Sequence, residues 1–263
     1  MTAHDPTLGS VLFDPPLVRG ALLRRHQRFL VDVRLADGRI VVAHCTNTGS
    51  LRGCLTEGAP VLIAPAAGAG RRLLWTWKLV RVGKAWVGVD TALAVPLVEE
   101  ALTRGLLPEL SGYGRRIREV PYGVEGRSRI DLLLSRGGRP APRRGSRRVL
   151  FDGDERVYVE VKNTTLAVRE GRASYAAFPD AVTERGLKHL HELVHVRRAG
   201  HRAAMVYCAQ RSDVTRFAPA DDIDPAYGTA LREAIAQGVE AYALATNTGP
   251  RRIHAARRLP LVL

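Results

Sequence analysis

The sequence predicts an α+β chain of two domains, a small all-β barrel over residues 1–90 and a layered α/β domain over residues 91–263. Three observations carry that expectation. Short extended runs follow one another from about residue 12 to residue 90 with no helical periodicity between them. The pattern then becomes helix, strands, helix, strand, helix, strand, an order that stacks helices on a sheet. Finally, 263 residues with 46% hydrophobic and 25% charged side chains can bury a core in each part.

Taken in order, "RFLVDVRLADGRIVVAHC" holds two extended runs joined by Ala36-Asp37-Gly38-Arg39, a hairpin signal. "APVLIAPA" reads as a short buried strand, and "LLWTWKLVRVGKAWVGVDT" as a second hairpin turning at Gly83-Lys84. Five short strands in this span suit an OB-like barrel. Trp75 and Trp77 alternate onto one face with Trp86 across the hairpin, where they could stack on bases. Aromatics at strand period are more often core. Beyond residue 91, "VPLVEEALTRGLL" is a short helix, and "RSRIDLLLS" and "RVYVEVKN" are strands. Between them lies "SRGGRPAPRRGSRR", residues 135–148, expected to be a mobile basic loop. "DAVTERGLKHLHELVHVRRAG" is a long helix with Asp180 near its start and Gly200 as its stop. The strand "HRAAMVYCAQ", the helix "DPAYGTALREAIAQG" and a final strand "VEAYALATN" complete the order.

Charge narrows the partners. Forty basic against 26 acidic residues leave a formal net charge of +14. That surplus favours a polyanion, with nucleic acid first and an anionic membrane surface second; arginine-rich codon usage is the bland alternative. No apolar run is long enough to span a membrane, so no membrane partner is expected. The N-terminus lacks a secretory pattern, and three cysteines without a CxxC pair indicate neither a disulfide framework nor a zinc ribbon. A cytoplasmic location is the expectation.

Lysine is rare here. Only Lys78, Lys84, Lys162 and Lys188 occur, so the other 40 − 4 = 36 basic residues are arginine. Lys162 stands in "YVEVKN", residues 158–163, two residues from Glu160. Strand alternation sends Val157, Val159 and Val161 one way and Tyr158, Glu160 and Lys162 the other. In the preceding strand Ile130, Leu132 and Leu134 are expected to share a face, with Asp131 opposite among Arg129 and Leu133. If the two strands pair, Asp131 meets Glu160 and Lys162. Two close carboxylates repel unless a proton or a cation intervenes. A divalent ion such as Mg²⁺ or Mn²⁺ removes that conflict, and phosphodiester hydrolysis needs these parts. The carboxylates fix the metal, and an amine steadies the attacking water or the developing charge. An ammonium is more compact than a guanidinium, a reason to keep lysine at this position. The spacing Asp-(x)n-Glu-x-Lys is that of the PD-(D/E)xK, restriction-endonuclease-like fold, and the element order fits its core. A plain salt-bridge patch on an exposed sheet face is the competing reading.

Across "PPLVRGALLRRHQRF", "HCTNTGS", "LVEEAL", "PELSGY", "SRIDLLL", "YVEVKN", "FPDAVTERG", "RFAPADDIDPAYG" and the terminal "LPLVL", the chain resembles the sugar fermentation stimulation protein A (SfsA) family. The resemblance runs from about residue 14 to the C-terminus. It implies an OB-like domain followed by a PD-(D/E)xK-like domain, DNA binding without marked sequence preference, and a role in regulating sugar utilisation. The metal-site positions it implies are Asp131, Glu160 and Lys162, with the Val161 carbonyl beside them. A helix glutamate often joins such sites; "LVEEAL" offers Glu99 and Glu100, and Glu100 matches the family pattern better. Thr46 replaces the usual proline before "NTGS", the loop over 135–155 is longer and more basic, and Leu187 and His191 replace polar residues.

Other signals are weaker. His191-Glu192-Leu193-Val194-His195 spells HExxH, a zinc-peptidase pattern. No short-range third ligand follows, Arg198 stands where the extended form needs glycine, and zinc chemistry remains a remote alternative. For nucleic-acid contact the candidates are Arg24, Arg25 and Arg28 beside Phe29, Asn47 and Thr48 of "NTGS", Arg129, and the loop residues Arg143, Arg144, Arg147 and Arg148. A solvated strand face and an ordinary turn are the corresponding plain readings. Thr183, Glu184 and Arg185 begin the long helix, where amides can receive a phosphate but capping is simpler for the first two. Gln210 is a weak candidate for supporting a metal-bound water. The function expected is binding of DNA, or RNA, through backbone electrostatics, with metal-dependent phosphodiester cleavage as the sharper form. A non-enzymatic DNA-binding regulator on the same scaffold is the rival. No organic cofactor is expected, and a dimer is compatible with the sequence.

Overall fold

The computed structural model describes residues 10–66, 72–123, 128–137, 140–142, 149–151 and 155–263. Strand β1 (Val11–Leu12) opens the chain, followed by β2 (Val18–His26), β3 (Leu30–Leu35), β4 (Ile40–His44), β5 (Pro60–Pro65), β6 (Trp75–Val82) and β7 (Ala85–Gly88). The last six form one sheet in the order β4-β3-β2-β5-β6-β7. A short parallel contact, Ala43 against Trp75 and His44 against Thr76, joins β4 to β6 and closes β2–β6 into a five-stranded barrel. The β3–β4 and β6–β7 hairpins stand where the sequence places them. The strand it missed is β2, whose Arg24-Arg25-His26 end dilutes the apolar alternation. Leu22, Val33, Ile63, Trp77 and Val80 fill the barrel. Trp77 is fully buried and donates its indole N–H to the Leu79 carbonyl at 2.9 Å. Trp75 packs partly against the same core, and Trp86 lies under the Arg81 guanidinium.

The second part runs α1 (Ala94–Thr103), β8 (Arg115–Tyr122), β9 (Ser128–Ser135), β10 (Pro140–Pro142), β11 (Val149–Phe151), β12 (Arg156–Thr164), β13 (Ala167–Glu170), β14 (Ala173–Phe178), α2 (Glu184–Arg198), β15 (Arg202–Ala209), β16 (Phe217–Pro219), α3 (Pro225–Ala236), β17 (Glu240–Thr248) and β18 (Arg252–Leu259). Its main sheet has the order β1-β18-β17-β15-β12-β9-β8. The central strands β12, β15 and β17 are parallel, and the outer pairings are antiparallel. Helix α1 covers one face through Leu97 and Val98 against Val157, Val159 and Leu244. Helices α2 and α3 cover the other, where Leu190, Leu193 and Leu231 meet Met205 and Tyr207. Burial on both faces explains why β15 reads as a continuous apolar run.

Several expectations change. Residues 135–148 are not one loop, because β10 and β11 pair antiparallel across part of the segment; residues 143–148, with Arg143, Arg144, Arg147 and Arg148, lie outside the described residues. Strands β8, β13 and β18 carry arginines, β16 has three residues and β14 is rich in alanine, so their alternation is weak, and "VEAYALATN" is not the last strand. Ile130 packs with Leu133 in the α2/α3 core, while Leu132 and Leu134 belong to the α1 core. The face therefore switches near Asp131, opposite Glu119, whose φ is +56°. Helix α2 is capped, as expected, by Thr183, whose hydroxyl accepts the Gly186 N–H at 3.0 Å. Among the described residues no helix is long and apolar enough to cross a membrane.

Candidate metal centre and the cleft above it

Strands β9 and β12 pair antiparallel as far as Leu132 against Val159. One residue further on, the Asp131 side chain takes over the bonding. Its Oδ2 accepts the Val161 backbone N–H at 2.7 Å. Burial, then the neighbouring charge of Glu160, push the Asp131 carboxyl up to about 7. Glu160 is 2% exposed. Its Oε1 receives the Lys162 ammonium at 2.8 Å and contacts His189 Nδ1. Burial works to raise the Glu160 carboxyl, but Lys162 and His189 outweigh it and hold the group below its ordinary range. Its second oxygen, Oε2, is buried without a hydrogen-bond partner among the described residues. The predicted trio of Asp131, Glu160 and Lys162 is therefore brought together, with the backbone of Val161 between them.

His189 is the member that sequence reasoning missed. It is 6% exposed, sits 3.0 Å from the Lys162 ammonium through Nδ1, and receives Arg185 Nε at Nε2 at 3.5 Å. Helical spacing puts Arg185 and His189 on one face of α2, one turn apart, but does not say which strand that face meets. Tyr122 also closes on this region. Its buried hydroxyl has no partner among the described residues, and burial, then the charges of Glu160, Glu192 and Asp131, push it above its ordinary range.

Other candidates go elsewhere. Glu100 does not join the cluster, because its oxygens accept from Arg104 at 3.2 Å and from the Ala255 N–H of β18 at 2.8 Å. Glu99 is bound by the Arg118 guanidinium. Within HExxH, His191 and His195 are exposed, whereas Glu192 turns inward to accept the Ser128 hydroxyl at 2.7 Å. That arrangement does not make a zinc site. Gln210 is a junction residue, donating to the Asp90 carbonyl at 2.8 Å and to Asn163 at 2.6 Å. Arg24 is paired with Asp32 at 2.7 Å on the barrel exterior. Arg129 is exposed.

A cleft of about 500 Å³ lies between barrel and sheet, lined by Arg28, Asn47 and Thr48 from one side and by Asp131, Lys162 and Arg185 from the other. The barrel is fixed over it by Asp180, whose Oδ2 accepts the Leu51 N–H at 2.8 Å and whose carbonyl accepts the Ser50 hydroxyl at 2.6 Å. "NTGS" is thus both a turn and a domain contact.

The family models agree with this division. The SfsA N-terminal OB domain matches residues 23–89, and the sugar fermentation stimulation protein RE domain matches residues 92–252. The chain belongs to the SfsA family. Among its relatives, the sugar fermentation stimulation protein homologs of Geotalea daltonii and Geobacter metallireducens are 45% and 48% identical, covering 95% and 94% of this chain and 98% of each relative. A solved structure, that of Pyrococcus furiosus SfsA in complex with Ca²⁺, superposes with a TM-score of 0.80 at 29% identity, over 97% of this chain and 99% of the other. The family frame covers the barrel, the sheet and the cleft between them.

Does the cluster fit a divalent ion? Among the described residues no three His, Cys, Asp or Glu side chains converge to enclose one. Two carboxylates stand close together, one with a buried oxygen that has no partner among the described residues and the other raised to about 7 by burial and its neighbour's charge. That donor set suits a hard cation that keeps several waters or takes phosphate oxygens as its remaining ligands.

Proposed function

We propose that this protein binds nucleic acid through its backbone and hydrolyses phosphodiester bonds with a divalent cation, Mg²⁺ or Mn²⁺. The observation that carries the reading is the buried Glu160 Oε2, without a partner among the described residues, next to an Asp131 carboxyl raised to about 7. Asp131, Glu160 and the Val161 carbonyl would hold the ion, which supplies Lewis acidity toward a phosphoryl oxygen and an activated water. Lys162 contributes positive charge beside the attacked phosphorus. His189 bonds to both Glu160 and Lys162, fixing the two side chains relative to each other. The Ca²⁺ complex formed by the Pyrococcus furiosus relative supports a divalent site in the family. Arginine-to-phosphate contacts position a backbone without reading bases, so affinity falls steeply with salt and depends little on sequence.

The test combines calorimetric Mn²⁺ titration with cleavage of labelled DNA and RNA. Wild type takes up one ion and cleaves, and Asp131→Asn does neither. Equal cleavage by the two proteins would assign the activity to a contaminant. A second reading, a DNA-binding regulator that keeps the scaffold without turnover, draws on the engagement of Lys162 with Glu160 and His189, which ties up the amine. Ion uptake with intact DNA after long incubation would favour it.

A further inference from the structure

The turn between β2 and β3 has an unusual backbone. Gln27 and Arg28 both lie in the left-handed region, at φ +48° and +64°, where glycine or asparagine is ordinarily found. Such a conformation persists only when the surroundings over-determine it. Here Arg25 does so. Its guanidinium donates to the Arg28 carbonyl at 2.9 Å and to the Asn47 carbonyl at 2.8 Å. The Asn47–Leu51 segment is in turn held by Asp180 of the second domain. A continuous set of bonds therefore runs from the sheet domain to the tip of a barrel hairpin.

That set of bonds holds Arg28 in place over the cleft. Its side chain is exposed, has no partner among the described residues, and lines the same cleft as Asp131, Lys162 and Arg185. The cleft's size, about 500 Å³, is that of a small-ligand site, about 300–1,000 Å³. It has room for a nucleotide or two of one strand. Two paired strands with their stacked bases need more space than that volume encloses. Val182, 73% exposed, lines the cleft as well. An apolar group there suits a sugar or base face, which stacking conceals in a duplex and a single strand presents.

We propose that the Gln27–Arg28 turn clamps a backbone phosphate of an unpaired nucleic-acid strand in this cleft, beside Lys162, so that the site takes single strands in preference to duplex. The inference rests on the nucleic-acid reading above but not on turnover. Fluorescence anisotropy tests it, with one short labelled DNA oligonucleotide offered single-stranded or as a blunt duplex, in EDTA, to wild type, Arg28→Gly and Arg28→Lys. Wild type is expected to bind the single strand at least about tenfold more tightly than the duplex. Arg28→Gly should lose roughly tenfold on the single strand while its melting temperature rises by about two to four degrees, because glycine accepts this φ without strain. Arg28→Lys should recover part of the affinity and none of the thermal gain. Equal or tighter duplex binding, an Arg28→Gly affinity within about twofold of wild type, or a lowered melting temperature in that variant would each overturn the proposal. If wild type binds neither form, the nucleic-acid reading falls with it. Single-strand binding without cleavage in Mn²⁺ would leave the clamp standing and remove only the hydrolysis.

Discussion

Two of the four lysines make buried ion pairs, and the pairs are built to opposite ends. At the junction of barrel and sheet, Lys78 binds Asp90, which is 1% exposed. The other Asp90 oxygen accepts the Thr46 hydroxyl at 2.9 Å and the Ala92 N–H at 3.1 Å. Every oxygen of that carboxylate is bonded. At the cleft, Lys162 binds Glu160, but one glutamate oxygen has no donor among the described residues and a second carboxylate stands nearby with its proton affinity raised. A buried charge that is fully bonded inside the chain fixes geometry, whereas one left incomplete is open to a ligand from outside. The junction pair is structural, and the cleft pair is the candidate reaction centre.

Substitutions should separate the two pairs most strongly at their carboxylates. Glu160→Gln is expected to abolish calorimetric Mn²⁺ uptake and to lower cleavage at least about 100-fold, with the melting temperature within a few degrees of wild type. Asp90→Ala is expected to do the reverse. It strands a buried ammonium at a cost of about 3–5 kcal/mol, lowering the melting temperature by roughly ten degrees while Mn²⁺ uptake persists. Loss of ion binding in Asp90→Ala at unchanged stability would break the distinction.

The pH dependence sharpens it next. The folded Asp131 carboxyl titrates near 7, against about 4 in the unfolded chain. Between those values the folded chain binds more protons, so metal-free stability falls as pH rises from about 4 to 7 and levels off above. Glu160 works in the opposite sense. Its depressed value contributes stability that is present above its ordinary value and lost in more acid solution, as the pH falls through the folded value. Thermal melts across this range should show the Asp131 slope in wild type and none in Asp131→Asn, and Mn²⁺ affinity should climb with pH toward 7. A flat wild-type profile would show that burial and the Glu160 charge do not raise the Asp131 carboxyl.

Smaller effects follow at the lysines. Lys162→Arg is expected to cost more than about tenfold in cleavage, because a planar fork does not replace a compact ammonium. Lys78→Arg should leave cleavage unchanged and cost about 1–3 kcal/mol of stability through overpacking. Least of all, Arg24→Ala removes an exposed pair with Asp32 and should change stability by less than about 1 kcal/mol and single-strand binding hardly at all.

How far the sequence revealed this site depended on the range of the interaction. Glu160 and Lys162 are two apart on one strand, so alternation alone puts them together. Asp131 required only the assumption that β9 and β12 are neighbours. His189 depends on how α2 docks against β12, which periodicity does not report, and so it passed unnoticed. Glu100 was misplaced for the same reason: its helix delivers it to the Ala255 amide of β18, a contact across 155 residues. Arg25 and Arg28 look alike in "LLRRHQRF", yet one braces the hairpin and the other faces the cleft. Their difference lies in the turn's left-handed backbone, which Gln and Arg do not advertise as Asn-Gly would.

Strand β1 has a consequence for how the protein can be taken apart. It pairs with β18 through Val11–Ile253 and Leu12–Arg252 before the chain enters the barrel, so the polypeptide visits the large sheet, leaves it, and returns. The barrel is an insert joined to the large sheet by two chain crossings, and any swing of it must bend both. A shortened chain beginning at residue 92 would also uncover part of the outermost β-segment, baring amides and carbonyls that invite a neighbour to pair edge to edge.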